Sequence, residues 1–368
     1  MSRVSRFLIS RWGPIVTGAI VGILAPMLVY LGNPGNMGIC VACFTRDIAG
    51  ALGLHRAAVV QYLRPEIPWF IFGSLIAALI YKEYKPRAGS APLVRFSLGG
   101  FAMIGALVFL GCPWRAYLRL AGGDWNAIPG IAGLVVGIVI GVQFLKSGYS
   151  LGRNRPAPAA AGWIMPAFAA ALLILLLTAP LLGRTAEGEP TGPIFFSTTG
   201  PGAAYAPVIV SLVVGLAIGF LAQRSRFCTV GAVRDLILVR DTYLLNGVIA
   251  LIIAGVVTNL ILGQFNPGFE GQPVSHTNAL WNFGGMVLSG LAFTLAGGCP
   301  GRQVFMSGEG DADAGVFVLG MLVGAGFAHN LSLASSSAGP GPYGPIAVII
   351  GILFCLAVGF TARESVAA

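Results

Sequence analysis

The sequence predicts an all-α polytopic membrane protein of about ten spanning helices plus re-entrant half-helices, set in two pseudo-symmetric, inverted repeats. Three observations carry this expectation. Of the 368 residues, 56% are hydrophobic and only 10% charged, where a soluble domain carries about 25% charged residues; the mean hydropathy is +0.84. The charges gather in short clusters, and the intervals between them are long enough to cross a bilayer. A block of motifs in the first half returns in the same order in the second.

Apolar runs of about 20 residues can cross the hydrocarbon core. From the N-terminus they fall at 13–32, 67–83, 95–111, 128–146, 162–183, 205–223, 243–264, 281–297, 314–332 and 344–362. The first run, Gly13 to Gly32, is too long for the apolar part of a cleavable signal and no small-residue cleavage site follows it, so it is read as a span. Four further stretches, 37–54, 112–125, 226–241 and 299–312, are too short and polar to cross and too apolar for free loops. Such pieces are tolerated at membrane depth where they line a cavity or are buried in protein. The 53 glycines fit helices that pack closely in lipid. The expected organisation is a first membrane repeat over 1–150, a linker with one spanning helix over 151–200, and a second repeat plus a final helix over 201–368.

The net charge of +9 does not call for nucleic acid, because the basic residues flank apolar spans. With Arg3, Arg6 and Arg11 placed in the cytoplasm, Lys82/Lys85/Arg87, Lys146/Arg153/Arg155, Arg224/Arg226 and Arg363 also fall inside. The loops Gly188–Gly202, Asn266–Asn278 and Ser332–Gly344 fall outside and hold no lysine or arginine. Both termini are therefore expected in the cytoplasm, and the protein in the cell inner membrane.

The repeat is the most informative feature. Gly99-Gly100, then Gly111-Cys112-Pro113-Trp114-Arg115, stand beside Gly284-Gly285, then Gly298-Cys299-Pro300-Gly301-Arg302. Both blocks run on into Gly-Asp, at Gly123-Asp124 and Gly310-Asp311. Upstream, Cys40 precedes Arg46-Asp47 by six residues, and Cys228 precedes Arg234-Asp235 by six. An odd number of spans separates the matching points, so the halves are expected to be inverted, with a site near the midplane at discontinuous helices. On that topology Cys40 and Cys112 approach from outside, and Cys228 and Cys299 from inside.

Cys-Pro-x-Arg has a local logic. Proline suits the first helical position, which leaves the cysteine near the N-cap, where free N–H groups and the positive dipole end attract an anion. Arginine adds fixed charge and a planar donor fork, and a polarizable thiol suits a soft sulfur or selenium atom. Cys40, Cys112, Cys228 and Cys299 with Arg46, Arg115, Arg234 and Arg302 are therefore the candidate substrate path, for a small anion with an oxyanion end and a soft end. Plainer roles compete with this one. Buried cysteine often serves as a small hydrophobe, and Cys355, alone in the last span, is read so. Arg46-Asp47 and Arg234-Asp235 can simply pair with each other, and the Gly-Asp steps read as turns or caps. Cys40-x-x-Cys43 allows a thiol–disulfide redox role, although Gly231 stands where the repeat would place a second Cys43. His55, His276 and His329 are scattered without metal-ligand spacing, and no phosphate-binding loop is present. Neither metal nor cofactor is expected.

These residues resemble the YeeE/YedE family of sulfur-transport membrane proteins, whose hallmarks are two halves with Gly-Gly-Cys segments and buried cysteines. The likeness covers nearly the whole chain apart from the region around 150–200. The stretch from Gly35 through Cys40, Cys43 and Arg46-Asp47 to His55-Arg56 is similar to the YedE branch associated with selenium transport. The resemblance implies a non-enzymatic importer of a thiosulfate-like or selenium-containing anion, and a small sulfur-carrier-like partner of the YedF/TusA type. It also implies that Cys112, Cys299 and Cys228, with Cys40 as repeat mate, pass the anion through S–H···S contacts. Cys-Pro after both motif cysteines and the extra Cys43 depart from the family pattern. A membrane thiol redox protein using Cys40 and Cys43 is the alternative, and an assembly subunit without transport is a third reading.

Overall fold

In the computed structural model, residues 3–178, 192 and 194–363 are described. The chain is almost wholly helical. In order, the helices are α1 (Arg3–Ile9), α2 (Trp12–Tyr30), α3 (Val41–Ala51), α4 (Glu66–Ile80), α5 (Pro92–Phe109), α6 (Pro113–Ala121), α7 (Ala127–Lys146), α8 (Ala159–Thr178), α9 (Val208–Ser225), α10 (Thr229–Val239), α11 (Tyr243–Ile261), α12 (Ala279–Ala296), α13 (Pro300–Gly308), α14 (Ala312–Asn330) and α15 (Gly344–Thr361). The polytopic all-α class read from composition is the fold observed.

Among the described residues, nine helical stretches are long and apolar enough to cross a membrane. The run expected at 67–83 is the exception: α4 has 15 residues, starting after Pro65 and stopping before Lys82, whose backbone is left-handed (φ 57°). At 1.5 Å per residue it reaches about 22 Å, short of a 30 Å hydrocarbon core. The four intermediate stretches form α3, α6, α10 and α13, helices of 9 to 11 residues. The end of the run 162–183 and the start of the loop Gly188–Gly202 lie outside the described residues.

Helices pair across the chain: α2 with α11, α4 with α9, α5 with α14, and α7 with α12, while α5 and α12 cross at the centre. Glycine makes this central crossing possible. A Cβ built on Gly105 would stand 2.5 Å from the Gly285 carbonyl oxygen, and one on Gly285 would stand 2.7 Å from that of Gly105. The two backbones touch directly, as small residues allow in membrane helices.

The connections gather on two faces. On one, which holds Lys82, Lys85 and Lys146, the loops after α4 and α7 are joined by the Arg87–Ala88 and Arg155–Pro156 ribbon. Arg87 also bonds Asp311 at 2.7 Å. The opposite face has no lysine in its loops and is tied together by backbone bonds such as Asn266 N–H to Gly122 O and Gly202 N–H to Val59 O.

Candidate functional site

Each short helix begins at a cysteine. Cys40, Cys112, Cys228 and Cys299 are the N-caps of α3, α6, α10 and α13, all with extended backbone. Three of the thiols accept the N–H three residues on: Cys40 from Cys43, Cys228 from Gly231, and Cys299 from Arg302, at 3.2 to 3.5 Å. They satisfy part of the donor set that every helix start leaves open. The local cause lies two residues upstream, where the chain passes through the left-handed region at Gly38 (φ 48°), Leu110 (63°), Arg226 (57°) and Gly297 (92°). Glycine does this freely, whereas Leu110 and Arg226 accept about 1–2 kcal/mol of backbone strain to turn the chain into the site.

The four half-helix starts meet two by two. Cys40 and Cys112 place their sulfur atoms 3.7 Å apart, in S–H···S contact. Cys43 joins this pair from the first turn of α3, and its thiol accepts from Arg115 Nη1 at 3.3 Å. Cys228 and Cys299 form the second pair: the Cys299 N–H donates to the Cys228 sulfur at 3.4 Å, with the thiols within reach of each other. All six cysteines are free thiols. Cys355 lies buried in α15 away from both pairs, as its reading as a small hydrophobe expects.

Toward the lysine-free face, a cavity of about 290 Å³ is lined by Arg46, Leu110, His329 and Ser335 to Ser337, among others. Arg46 bonds Asp47 at 2.6 Å, and Arg64 bonds the other carboxylate oxygen at 2.7 Å, so one carboxylate faces two arginines. His55 fixes the Arg46 carbonyl at 3.1 Å and stacks on His329, with ring centroids 4.4 Å apart. Arg115 behaves differently from the donor fork read in sequence. Its guanidinium donates to the carbonyls of Asn36, Leu110 and Val274 as well as to Cys43. These carbonyls are left open by the loops and the left-handed turn, so Arg115 spends its donors on them. Among the described residues no carboxylate pairs with it, and it stays a fixed positive charge beside the first thiol pair.

Toward the lysine face, a second cavity of about 290 Å³ is lined by Cys228 itself with Arg226, Arg234, Asp235 and Arg302. Arg234 bonds Asp235 at 2.8 Å, and Glu309 bonds Arg302 at 3.0 Å and Arg226 at 2.9 Å. Glu83 bonds Arg226 and Arg224. The Arg-Asp steps therefore do pair internally, yet Arg46 still lines the first cavity, and both Arg234 and Asp235 line the second. The Gly-Asp steps are caps and ion pairs: Asp311 accepts the Ala314 N–H at the start of α14, and Asp124 bonds Arg119 at 2.7 Å.

Three side chains that the motifs do not announce belong to these surroundings: His329 lines the first cavity, Arg64 holds Asp47 beside Arg46, and Glu309 holds two arginines of the second. Arg64 and His329 come from loops and helix ends far from the motifs, with no local signal. Glu309 stands seven residues after Arg302, two helical turns on, and that spacing was a usable hint.

Residues 224–360, the second half of the bundle with Cys228 and Cys299, match the family described as sulphur transport. The thiosulfate transporter TsuA of Spirochaeta thermophila is 31% identical over 99 residues, which cover 27% of this chain and 29% of that protein. The chain thus matches less than a third of that relative's length. An uncharacterized protein of Methanocaldococcus jannaschii is 30% identical over 103 residues, covering 25% of this chain and 98% of the relative. With two of the four cysteine-started half-helices, α10 and α13, falling inside the matched region, the chain belongs to the sulphur-transport (YeeE/YedE) family of membrane proteins.

Proposed function

We propose that the chain is an inner-membrane uptake transporter or channel for a small anion containing sulfur or selenium, thiosulfate-like or a selenium oxyanion. Cys40, Cys112, Cys228 and Cys299 pass the anion along a central path, and arginines draw it in. One observation carries this reading: four thiols paired at four half-helix N-termini, one pair toward each face. A charge at membrane depth needs compensation. Helix N-termini in partly buried geometry supply up to about 2 kcal/mol each. Arg46 and Arg115 on one side, and Arg234 and Arg302 on the other, add fixed positive charge. The thiols are soft, weak donors that hold a sulfur or selenium atom without binding it hard. No bond to the anion is made or broken, so the protein is read as a conduit and not an enzyme.

The two halves, 1–150 and 201–368, act as inverted repeats joined by the 151–200 linker. The reciprocity of the packing supports this. If α2–α7 are matched in order with α9–α14, the α2·α11 contact has its counterpart in α4·α9, and α5·α14 in α7·α12. The lysine face is cytoplasmic, carrying both termini, and is where a small sulfur-carrier-like protein of the YedF/TusA type would receive the anion.

The test is uptake of labelled thiosulfate and selenite into vesicles holding the wild type, Cys112→Ala or Cys299→Ala. Each substitution is expected to lower uptake at least about tenfold, equivalent to about 1.4 kcal/mol. Undiminished uptake by both variants removes the relay. Loss of function on Cys43→Ser with full function on Cys228→Ala would instead favour a redox role for Cys40 and Cys43.

A further inference from the structure

Between the two thiol pairs lies a residue that the repeat does not share. Trp114 stands two residues after Cys112, on the first turn of α6; the matching position two residues after Cys299 is Gly301, on the first turn of α13. The two positions meet. A Cβ built on Gly301 would lie 3.2 Å from Cε2, Cζ2 and Nε1 of the Trp114 indole, so the ring fills the space that glycine leaves. The indole is also edge-to-face with Phe227, the residue before Cys228, at 5.4 Å between centroids and 83°. On a further side it lies 5.9 Å from Phe305 of α13. One ring therefore bridges the segments carrying Cys112, Cys228 and Cys299.

The ring is fully buried at 0% exposure, and its Nε1–H has no hydrogen-bond partner among the described residues. Buried donors are nearly always paired, so this N–H calls for an acceptor that the described residues do not supply. An indole N–H donates and cannot accept, which suits an anion and rejects a hydrated cation. The phenylalanines around it offer no competing acceptor.

We propose that Trp114 is the gate and specificity-determining residue at the middle of the path. Its indole closes the route between the two thiol pairs, and its Nε1–H is the donor that meets the anion as it crosses. The inference rests on the anion-path reading above and assigns it a central station. Glycine at 301 leaves the ring room to seat, where a larger side chain would press on it.

Purified wild type, Trp114→Phe, Trp114→Ala and Gly301→Ala are compared in vesicles by thiosulfate uptake and, separately, by chloride leak. Trp114→Phe keeps a ring but removes the N–H, and is expected to raise the thiosulfate KM about tenfold with no added leak. Trp114→Ala opens the route, and chloride leak is expected to rise at least about tenfold. Gly301→Ala presses on the indole and is expected to slow uptake about tenfold without leak, which keeps the test open if Trp114→Ala does not fold. An unchanged KM in Trp114→Phe overturns the donor. Wild-type tightness in a folded Trp114→Ala, or wild-type uptake in Gly301→Ala, overturns the gate. If the wild type takes up no thiosulfate while Trp114→Ala still leaks chloride, the substrate reading falls and the gate stands.

Discussion

The two arginines that the repeat sets in register, Arg115 and Arg302, do different work because their surroundings differ. Arg115 is fully buried and gives its donors to three carbonyls and a thiol. Arg302 is partly exposed and holds Glu309 at 3.0 Å. A lysine carries the same charge, but its three donors sit on a single nitrogen and cannot span the four acceptors that the wider guanidinium fork reaches. Each buried acceptor left open costs about 1–3 kcal/mol. Arg115→Lys is therefore expected to destabilise the protein by about 2–4 kcal/mol, seen as a clear drop in melting temperature. Arg302→Lys, which keeps its ion pair at the rim, is expected to stay within about 1 kcal/mol. Equal drops for the two would show that the fork geometry at Arg115 does not matter. The sequence showed that both positions carry arginine beside Cys-Pro, and that much was legible from spacing. It could not show which carbonyls would surround them, because Asn36 and Val274 reach Arg115 only through the folded loops. The left-handed turns were half legible in the same way: glycine at 38 and 297 announces such a turn, while leucine at 110 and arginine at 226 conceal it.

At the scale of elements, the spans were readable because lipid demands long apolar runs, and the half-helices because they were too short to satisfy that demand. Their ends shifted by a few residues where a cap, and not hydropathy, sets the boundary. The stretch read as 37–54 contains the helix Val41–Ala51, started by the Cys40 cap and stopped at Leu52. What hydropathy could not supply is which helix meets which, and glycine settles that by permitting contact at chosen points. Gly100 and Gly105 both lie in α5, yet their surroundings are opposite. A Cβ on Gly100 would have only the Gly320 oxygen nearby, at 3.7 Å, an ordinary contact. One on Gly105 would strike the Gly285 oxygen at 2.5 Å and the Ser289 Oγ at 2.7 Å, and a helix carbonyl cannot step aside as a flexible side chain can. Gly100→Ala is expected to be neutral or to stabilise by up to about 1 kcal/mol, through helix propensity. Gly105→Ala is expected to cost at least about 1–3 kcal/mol. Thermal unfolding of the two variants in detergent decides the matter, and similar melting temperatures would mean that the α5–α12 crossing relaxes freely.

For the whole molecule, the orientation follows from where lysine and arginine lie relative to the bundle, and it carries the direction of the proposed route. Lys82, Lys85 and Lys146 share one face, and the loops 266–278 and 332–344 on the other hold no lysine or arginine. The structure adds two arginines to that other face, Arg56 and Arg64. Both are committed: Arg56 sits 4.0 Å over the Phe195 ring, and Arg64 holds Asp47. A cation stacked on an aromatic ring or paired with a buried carboxylate orients a side chain locally. The orientation rule instead counts basic residues in short loops near the span ends, and on that count the lysine face remains the richer. The six native cysteines include five with 0% exposure, and Cys228 has only 5%. A cysteine introduced at an exposed loop position should therefore dominate labelling by a bulky, membrane-impermeant maleimide. Ala338→Cys lies on the lysine-free face and Arg153→Cys on the lysine face, both exposed. In intact cells Ala338→Cys is expected to label fully and Arg153→Cys only after permeabilisation. The reverse pattern would turn the molecule over, placing the Cys228–Cys299 pair and its three arginines at the entrance and the Cys40–Cys112 pair at the exit. Labelling of both in intact cells would mean that an even number of crossings separates the two positions, where opposite faces require an odd number, and would undo the matching of α2–α7 with α9–α14.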